Sequence, residues 1–460
     1  MKNLDFLFKP ESIAIIGASR DEKSVGYGIV ANLVKGGVFA TRHNESFKGD
    51  IYPVNPKADE ILGLKCYKSI LDVKNKIELA IIAVKAAIVP LVMKECVKKK
   101  VKAVIIISSG FAEFNEEGKK LQEEAVSIAH NAGILVLGPN CLGLVNTHAF
   151  LNASFAPAMP PKGEIGFISQ SGALADSIID WALWKNYGFS KLVSYGNAAD
   201  IGITELIEYF DADKETKAIA VYAESIPRGR EFMRAASKAK KPIVILKAGQ
   251  HETGMKAAKS HTGNLAGSYE VYKAAFKQSK IHEVQNVDEL FEAAQVMAYQ
   301  VRLKGNNIAI VTNGGGCGVI TADNCFQEGL NLAVLSEDTL KKMDMSGKMH
   351  PAYSRSNPLD IVGDALPERY EAALNAVLLQ KDVYGLIVIE TLQTMTDPIE
   401  NAKVILKAKE KFKDKPIIAV FMGGKFTRMG KLFLESHKVP VYAYPMKAVL
   451  AMKALLHKKV

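Results

Sequence analysis

The segment 164–184, EIGFISQSGALADSIIDWALW, holds the pattern that decides the fold class. A short apolar run ends in a polar turn, Ser169–Gly172, and an amphipathic segment follows it directly. Apolar runs of about four to eight residues that end in Gly, Ser or Asn are typical of buried parallel strands separated by helices. The segment therefore predicts a strand, a turn and a helix of an α/β domain.

The same alternation continues towards both ends of the chain. Further runs of this kind are SIAIIGAS, DIYPVNP, LAIIAVK, AVIIISSG, ILVLGPN, KLVSYGN, AIAVYAES, PIVILKAG, NIAIVTNGG, LDIVGD, GLIVIET, PIIAVFMGG and VPVYAYP. At roughly 150 residues per domain, a chain of 460 residues predicts about three domains. The Pro-rich stretch 156–161 and the KGNN stretch 304–307 then separate a first domain, 1–150, from two others, 160–303 and 305–460.

The second and third domains resemble each other in sequence. EIGFISQSGAL parallels NIAIVTNGGGCGV, IAVYAES parallels LIVIET, and KKPIVILKAGQ parallels DKPIIAVFMGG, in the same order. Duplicated flavodoxin-like domains are the simplest explanation. The copies then diverge, since QHETGMKAAKSHTGNLAGS follows Gly249 whereas KFTRMGKLFLESH follows Gly424. A function carried by the first of these segments belongs to one copy alone.

Composition and charge exclude several classes of protein. Five cysteines without a C-x-x-C pair indicate neither a disulfide framework nor a zinc site, so no metal ligands are predicted and a reducing, cytoplasmic setting is expected. The N-terminus lacks a secretion signal, and no stretch suits a membrane-spanning helix. The lysines behind the net charge of +10 are spread over helix-like segments, which favours solvated faces over nucleic-acid binding. Anionic small molecules remain candidate ligands.

Glycines and cations follow the first predicted strand. The turn that opens the next helix contains Gly17, Ser19, Arg20, Lys23 and Gly26. In such a turn, backbone N–H groups and the helix dipole favour a phosphate. The second strand ends in Asn55 and Lys57, where an NAD site would offer Asp or Glu. Lys57 suits a nucleotide with an extra phosphate, such as the 3′-phosphate of coenzyme A, and an ordinary tight turn with a surface lysine is the alternative.

Further turns in the first domain supply small or polar residues. The candidates that follow its later strands are Val84, Lys85, Ser108, Ser109, Gly110 and Asn140. Small hydroxyl and glycine residues let a long ligand approach the backbone closely. Cys141 has the chemistry of a nucleophile, but no His or acid lies beside it in the sequence, so a packed structural cysteine is favoured.

Two Gly-containing turns at the start of predicted helices have the form needed to bind phosphate. They are Ser169-Gln170-Ser171-Gly172 in the second domain and Gly314-Gly315-Gly316 in the third. Neither contains the lysine of a P-loop, so neither is predicted to bind a nucleoside triphosphate by that motif. Close packing of helix on sheet is the alternative for both turns.

His261 differs in its surroundings from the other histidines. It lies in KSHTGNLAGS, 259–268, a loop of small residues beyond the strand PIVILKAG. A histidine next to turns that have the form needed to bind phosphate can act as a nucleophile toward phosphorus. A solvent-exposed loop histidine is the alternative. Glu224, after a neighbouring strand, is placed to fix the imidazole ring and to stabilise the cation that phosphorylation creates. Glu390, its expected counterpart in the other copy, has no histidine loop to serve and is predicted to be structural.

Seven motifs follow one another along the chain: IIGASR, VNPK, SSGFAE, GPNCLG, SQSGAL, YAES and SHTGNLAG. Together they resemble the α subunit of the ADP-forming acetyl-CoA synthetases, relatives of succinyl-CoA synthetase. The resemblance implies a Rossmann-like CoA-binding domain followed by two flavodoxin-like ligase domains. It implies that acyl-CoA, ADP and phosphate give the free acid, CoA and ATP, through an acyl phosphate and a phosphohistidine at His261 that Glu224 stabilises. The two helix starts would cradle phosphate, and the thioester would lie near Asn140 and the SQSG turn.

The resemblance also implies a partner chain. The sequence ends at Val460 without a further segment of roughly 200 residues for an ATP-grasp domain, so an ATP-grasp β subunit is expected to bind ADP or ATP and Mg²⁺ in an α2β2 heterotetramer. Two other hypotheses compete: a non-catalytic acyl-CoA-binding regulatory protein of the same fold, and an NAD-dependent dehydrogenase. The presence of both His261 and Glu224 counts against the first, and Lys57 counts against the second.

Overall fold

The structure, a computed structural model, describes residues 2–185, 187–254 and 268–457. The chain divides into two units, residues 1–291 and 292–460. Three sheets of mainly parallel strands form their frames, two in the first unit and one in the second. Within the described ranges, no helix is both long and apolar enough to cross a bilayer.

Parallel strands form the first sheet. The first seven strands of the chain, five of which form this sheet, are β1 (Ser12–Ile16), β2 (Asp50–Val54), β3 (Glu60–Ile61), β4 (Leu64–Lys65), β5 (Leu79–Ile82), β6 (Ala103–Ile106) and β7 (Leu135–Leu137). The sheet has the order β2-β1-β5-β6-β7, while β3 and β4 form a separate antiparallel pair. The accompanying helices are α1 (Asp5–Phe8), α2 (Val25–Lys35), α3 (Val89–Lys99) and α4 (Glu116–Asn131). Strands β1, β5 and β6 are buried throughout, as their continuous apolar sequences predict.

The second sheet contains seven strands. They are β8 (Gly143–Asn146), β9 (Leu151–Ser154), β10 (Lys162–Ser169), β11 (Phe189–Ser194), β12 (Ala218–Ala223), β13 (Ile243–Lys247) and β14 (His282–Val284). Their order is β14-β13-β12-β10-β11-β8-β9, with β8 and β9 antiparallel to their neighbours. The helices are α5 (Gly172–Lys185), α6 (Ile203–Ala212), α7 (Gly229–Lys238), α8 (Tyr269–Gln278) and α9 (Val287–Tyr299). The sheet takes strands from both sides of the Pro-rich stretch, and the domain boundaries at 150 and 160 stay a prediction.

The third sheet lies in the second unit. Its strands are β15 (Asn307–Thr312), β16 (Asn331–Leu332), β17 (Leu359–Asp360), β18 (Gly385–Thr391), β19 (Ile417–Met422) and β20 (Val441–Tyr442). Their order is β16-β15-β18-β19-β20, with β17 also paired to β15. The helices are α10 (Gly315–Gln327), α11 (Glu337–Met345), α12 (Pro367–Leu379), α13 (Pro398–Lys411), α14 (Arg428–Ser436) and α15 (Pro445–Ala454).

The parallel strands of the second and third sheets share one order. With the short strand β17 set aside, the first parallel strand of each copy, β10 or β15, lies between the second and the third, and the fourth and fifth follow beyond the third. This is the order of flavodoxin-like domains, whose ligands bind where the strand order reverses. The predicted α/β fold with a repeated flavodoxin-like part is therefore confirmed, and the turns after β10, β12, β15 and β18 lie at the reversal points.

The core of the first unit follows its central strands. Ile81 and Phe167 are fully buried there. A buried ion pair lies in the same layer, where Lys191 Nζ donates to Asp213 Oδ2 at 2.6 Å and the Thr216 hydroxyl donates to the same oxygen at 2.7 Å. The pair gives each buried charge the partner that burial demands. A close-packed core of this kind holds the strand ends, which carry the polar candidate residues.

Candidate functional site

The carboxyl ends of the first two sheets line a cavity of about 620 Å³. The lining comes mainly from the turns after β5, β6, β7 and β10 and from the beginning of α5, and Val25 of α2 and Phe155 after β9 complete it. The predicted site residues that lie in this lining are Val84, Lys85, Ser108, Ser109, Asn140, Gln170, Ser171 and Gly172. Four turns that are far apart in the sequence therefore meet at one place, as expected of strand ends in open α/β sheets.

The turn after β1 is tightly packed. Gly17 has a φ angle of +96°, and a Cβ atom there would lie 2.3 Å from the carbonyl oxygen of Ala83. A Cβ atom on Gly26, in the first turn of α2, would lie 2.0 Å from the carbonyl oxygen of Gly17. Only glycine fits both positions. The close approach brings the first turn of α2, where Ser24 Oγ accepts from the N–H of Tyr27 at 3.2 Å, next to the turn after β1.

Polar groups tie the end of β2 to the same turn. Asn55 Nδ2 donates to the carbonyl oxygen of Ala18 at 2.7 Å, and Asn55 Oδ1 accepts from the N–H of Lys57 at 2.8 Å. Arg20 Nη2 donates to the carbonyl oxygen of Lys57 at 3.4 Å, so these two exposed cations are neighbours. The predicted residues of these two turns lie outside the cavity lining: Gly17, Ser19, Arg20, Lys23, Gly26, Asn55 and Lys57.

Glu113 holds the turn after β6. Its Oε1 atom accepts from the N–H groups of Gly110 at 2.6 Å and Phe111 at 3.1 Å, and its Oε2 atom accepts from Asn197 Nδ2 at 2.6 Å. Burial acts to raise the pKa of Glu113, but the hydrogen bonds from Asn197 and the backbone outweigh it and lower the pKa. An ionised Glu113 therefore fixes the turn that carries Ser109. Gly110 lies in this turn but outside the cavity lining.

The turn after β7 places Asn140 and Cys141 at the cavity. Asn140 has a φ angle of +57°, which Asn tolerates better than most residues, and its N–H donates to the carbonyl oxygen of Ser108 at 2.9 Å. Cys141 is 4% exposed, and its Sγ donates to the carbonyl oxygen of Ile106 at 3.4 Å. Burial raises the pKa of Cys141 to about 12. This burial supports the predicted role of Cys141 as a packed structural cysteine.

A thiol-labelling prediction follows from this burial. At pH 8 a group with a pKa of about 12 is ionised in roughly one molecule in 10,000, so Cys141 is expected to resist iodoacetamide. Cys317, which is partly exposed, is expected to react first. Peptide mass spectrometry after timed alkylation of the native chain measures both rates. Labelling of Cys141 as fast as Cys317 would contradict the packed role.

Gln170 organises the turn after β10. Its Oε1 atom accepts from the N–H groups of Glu224 at 2.8 Å and Ser225 at 2.9 Å, and its Nε2 atom donates to Ser225 Oγ at 3.1 Å. Ser169 Oγ donates to the carbonyl oxygen of Ser171 at 2.7 Å and accepts from the Ser171 N–H at 3.2 Å. The turn after β10, which opens α5, is therefore fixed to the turn after β12.

Glu224 is a buried acid at the end of β12, 7% exposed. The Tyr222 hydroxyl donates to Glu224 Oε1 at 3.4 Å. Lys247 lies beside it, 1% exposed, and donates from Nζ to the carbonyl oxygen of Glu224 at 2.8 Å. Burial lowers the pKa of Lys247, and the carboxylates of Glu224 and Glu283 act in the opposite direction. Glu224 is thus an acid next to a buried cation and one hydrogen bond away from the cavity lining.

The third sheet repeats the hydrogen bonds of the second. Asn313 takes the place of Gln170: its Oδ1 atom accepts from the N–H of Thr391 at 2.7 Å, and its Nδ2 atom donates to the Thr391 carbonyl oxygen at 2.9 Å. Thr312 Oγ1 donates to the carbonyl oxygen of Gly314 at 3.1 Å and accepts from its N–H at 3.0 Å. The two copies therefore share the architecture of this turn.

The strand register corrects the expected counterpart of Glu224. In the second sheet, Tyr222 pairs with Ser169, the last residue of β10. In the third sheet, Ile389 pairs with Thr312, the last residue of β15. Two positions further on, one copy has Glu224 and the other has Thr391. The expectation that Glu390 is the counterpart of Glu224 is therefore wrong by one residue. A shift of one residue turns a side chain to the opposite face of the sheet.

Glu390 consequently points into packed protein. It is fully buried, and its Oε2 atom accepts from Asn401 Nδ2 at 2.7 Å. Its Oε1 atom has no hydrogen-bond partner among the described residues. Burial raises the pKa of Glu390 to about 7. This environment supports the predicted structural role of Glu390.

The Gly-rich turn of the third sheet has an acid beside it. Helix α10 begins at Gly315, and a Cβ atom on Gly315 would lie 2.7 Å from Asp360 Oδ2. A carboxylate at a helix N-terminus is stabilised by the helix dipole. Asp360 therefore occupies part of the space in which an anion would bind, and phosphate binding at Gly314, Gly315 and Gly316 stays a prediction.

Three families of domains match the chain. Residues 11–147 match a CoA binding domain, residues 162–297 a succinyl-CoA ligase like flavodoxin domain, and residues 308–458 a ligase-CoA domain. The acetate–CoA ligase [ADP-forming] II subunit alpha of Pyrococcus furiosus is 42% identical over 99% of this chain and 98% of its own length. The chain belongs to the family of the ADP-forming acetate–CoA ligases.

Other members of this family differ in length. The acetate–CoA ligase [ADP-forming] of Methanocaldococcus jannaschii is 44% identical over 99% of this chain, which spans 62% of that protein. In three dimensions, the chain is similar to the dinucleotide forming acetyl-coenzyme A synthetase 1 of Ca. Korarchaeum cryptofilum, solved in complex with phosphate and ADP. The TM-score is 0.91 at 37% identity, and the match covers 99% of this chain and 97% of the other.

Some predicted residues of this ligase family member lie outside the described ranges, and the structure adds two site residues that the sequence did not predict. His261 and the rest of the segment 255–267 lie outside the described residues. Sequence reasoning missed Glu113, which holds the turn after β6, and Asp176, which lines the cavity from α5. Glu113 lies in the quoted motif SSGFAE, which offered a signal, whereas Asp176 has the position of an ordinary polar residue in an amphipathic helix.

Proposed function

We propose that this chain is the alpha subunit of an ADP-forming acyl-CoA ligase, with acetyl-CoA as the reference substrate. The reaction converts acyl-CoA, ADP and phosphate into the free acid, CoA and ATP, and it is reversible. The name and length of the Pyrococcus furiosus relative support this proposal, because this chain covers 98% of that alpha subunit. The Ca. Korarchaeum cryptofilum structure adds support through its TM-score of 0.91.

One observation carries the proposal. The turns after β5, β6 and β7, in the part that matches a CoA binding domain, line the same cavity as Gln170, Ser171 and Gly172 at the start of α5. Phosphate must approach the thioester carbonyl for an acyl phosphate to form. A cavity lined both by turns proposed to bind CoA and by a helix N-terminus suited to phosphate would bring phosphate and the thioester together.

The chain's own residues would hold CoA along these turns. Gly17 and Gly26 let the nucleotide part approach the start of α2, where backbone N–H groups suit its diphosphate. Arg20 and Lys57, which are exposed neighbours, suit the 3′-phosphate. Lys85 then lies beside the part of the cavity that the pantetheine arm would enter. The remaining proposed contacts to CoA are Ser19, Lys23, Asn55, Val84, Ser108, Ser109, Gly110 and Asn140.

Phosphoryl transfer would follow on the same chain. A phosphate oxygen attacks the thioester carbonyl, the CoA thiolate leaves, and an acyl phosphate forms near Ser171 and Gly172, next to the Ser169–Gln170 turn. His261 then attacks the phosphorus, and the carboxylate of the free acid leaves. Glu224 would orient the imidazole and stabilise its positive charge. The turn of Gly314, Gly315 and Gly316 is the proposed second cradle for the phosphoryl group.

A partner would complete the reaction. The naming of the Pyrococcus furiosus relative as a subunit, and the greater length of the Methanocaldococcus jannaschii relative, support a second chain. We propose that an ATP-grasp β subunit holds ADP or ATP and Mg²⁺, in an α2β2 heterotetramer. The proposed domains of this chain are 1–150, 160–303 and 305–460. Its five free cysteines support a reducing, cytoplasmic setting.

Phosphate labelling tests this function. The chain, with and without its ATP-grasp partner, is incubated with acetyl-CoA and labelled phosphate, and an acid-labile, base-stable phosphoryl group is sought. Label on the wild type that disappears in His261→Ala supports the proposal. No label in either preparation, with CoA still bound, would overturn the ligase mechanism and favour an acyl-CoA-binding regulatory protein.

A second prediction concerns the nucleotide end of CoA. Lys57→Ala is expected to weaken CoA binding about fivefold, because it removes a charge beside the 3′-phosphate. Binding of 3′-dephospho-CoA is expected to be the same in the variant and the wild type. Isothermal titration of both ligands measures the difference, and Lys68→Ala, another exposed lysine of the first domain, is the control. An equal loss for both ligands would remove Lys57 from the 3′-phosphate site.

A further inference from the structure

The cavity contains one acid that the proposed mechanism does not use. Asp176 lies in the second turn of α5, four residues after Gly172, and its side chain lines the cavity together with Asn140 and Leu142. A Cβ atom on Gly172 would lie 3.5 Å from Leu142 Cβ, so the start of α5 packs directly against the turn after β7. Asp176 therefore lies on the side of the cavity where the thioester is expected.

The carboxyl group of Asp176 lacks a protein partner in the described part of the chain. Its Oδ1 atom is buried and accepts no hydrogen bond there. Burial raises the pKa of Asp176 to about 6, so the group is mainly ionised at neutral pH. A buried polar atom without a partner is costly and is rare in native proteins. A ligand that brings a donor to this oxygen would remove that cost.

The other residues of the cavity lining indicate which chemical group a ligand can place next to Asp176. Apolar side chains line much of the cavity: Val25, Ile107, Leu142 and Phe155. Among the described residues of the lining, Lys85 is the one cationic side chain; it follows β5 in the first sheet, whereas Asp176 belongs to α5 above the second. A second carboxylate brought next to the buried Oδ1 atom of Asp176 would meet a like charge and be repelled. A hydroxyl group would instead pair with the free oxygen.

We infer that Asp176 selects the acyl group of the substrate. Its carboxylate accepts a hydrogen bond from an acyl chain that ends in a hydroxyl group and repels an acyl chain that ends in a carboxylate. The inference rests on the proposed function, since it takes the cavity as the site of acyl-CoA. Short hydroxy acids are then better substrates than dicarboxylic acids of the same length, and unsubstituted acids lie between them.

Binding of three four-carbon thioesters tests this selection. Butyryl-CoA, 4-hydroxybutyryl-CoA and succinyl-CoA are titrated into the wild-type chain, Asp176→Asn and Asp176→Leu. The wild type is expected to bind 4-hydroxybutyryl-CoA best and succinyl-CoA at least about tenfold more weakly than butyryl-CoA. Asp176→Asn is expected to lose the discrimination against succinyl-CoA, and Asp176→Leu to lose the preference for the hydroxyl group as well.

The ratio of two dissociation constants on one protein is the decisive readout. A general loss of folded protein or of CoA affinity leaves this ratio unchanged, so a merely structural role for Asp176 would not move it. Asp180→Asn, one turn further along α5 and exposed, is the matched control with wild-type ratios. Wild-type ratios in both Asp176 variants would overturn the inference while leaving the proposed function intact. If the wild type binds acetyl-CoA but none of the three thioesters, the inference is overturned and the proposed function stands. Failure to bind acetyl-CoA as well would overturn the proposed function and the inference with it.

Discussion

Glu224→Gln is expected to slow ATP formation from acetyl-CoA, ADP and phosphate by about 100-fold or more, when the chain is assayed together with the proposed ATP-grasp partner. The substitution keeps the size of the side chain and an acceptor oxygen for the Tyr222 hydroxyl, which lies 3.4 Å from Oε1. It removes the negative charge. An imidazole that takes a phosphoryl group becomes cationic, and a buried carboxylate is the group that stabilises such a cation. The steady-state rate and the amount of acid-labile label on the chain measure the loss.

Glu390→Gln is the matched control for this loss. Glu390 is also a glutamate at the end of a strand, in the other copy. The strand register directs its side chain into the protein core, where Asn401 Nδ2 donates to Glu390 Oε2 at 2.7 Å. We expect the rate of Glu390→Gln to stay within about threefold of the wild type, because only a buried structural acid is neutralised. Equal losses in the two variants would show that the position after β12 has no special role. Thermal unfolding of both variants separates loss of activity from loss of folded protein.

The strands were predictable wherever burial on both faces produced a continuous apolar run. The hairpin of β8 and β9 escaped prediction because polar residues interrupt it. Asn146 and Asn152 are buried there, and their Nδ2 atoms donate to the carbonyl oxygens of Phe8 at 2.8 Å and Gly36 at 3.3 Å. Hydrogen bonds to distant parts of the chain thus satisfy the polar groups. Such partners lie more than 100 positions away and leave no local pattern in the sequence.

The candidate site was predictable in its turns and less so in its single side chains. The turns that follow β5, β6, β7 and β10 meet because parallel strands bring their carboxyl ends to one edge. The pairing of Glu224 with Glu390 failed because similar letters, YAES and VIET, conceal a shift of one residue that only the strand register reveals. Asp176 escaped notice because its burial depends on the packing of α5 against the turn after β7, which no sequence period records.

Gly26→Ala is expected to lower the free energy of unfolding of the first unit by about 3 kcal/mol or more. The added Cβ atom would lie 2.0 Å from the Gly17 carbonyl oxygen and 3.3 Å from the Ala18 Cα atom. Backbone atoms cannot move aside as the end of a side chain can. Gly17 cannot retreat either, because its N–H donates to the carbonyl oxygen of Val54 at 3.1 Å and a Cβ position on it lies 2.3 Å from the Ala83 carbonyl oxygen. The start of α2 must therefore move away from β1.

The same displacement is expected to weaken CoA binding, because the N–H groups at the start of α2 are the proposed contacts of the diphosphate. Hydrogen exchange of peptides that cover residues 12–35 measures the loosening, and isothermal titration measures the affinity. Gly229→Ala, at the start of α7, is the control, since a Cβ atom there has no neighbour within 4 Å and alanine favours a helix. Loosening in both variants would point to a general sensitivity of the unit. If only Gly26→Ala shows both faster hydrogen exchange and weaker CoA binding, the close packing of Gly26 is required for CoA binding.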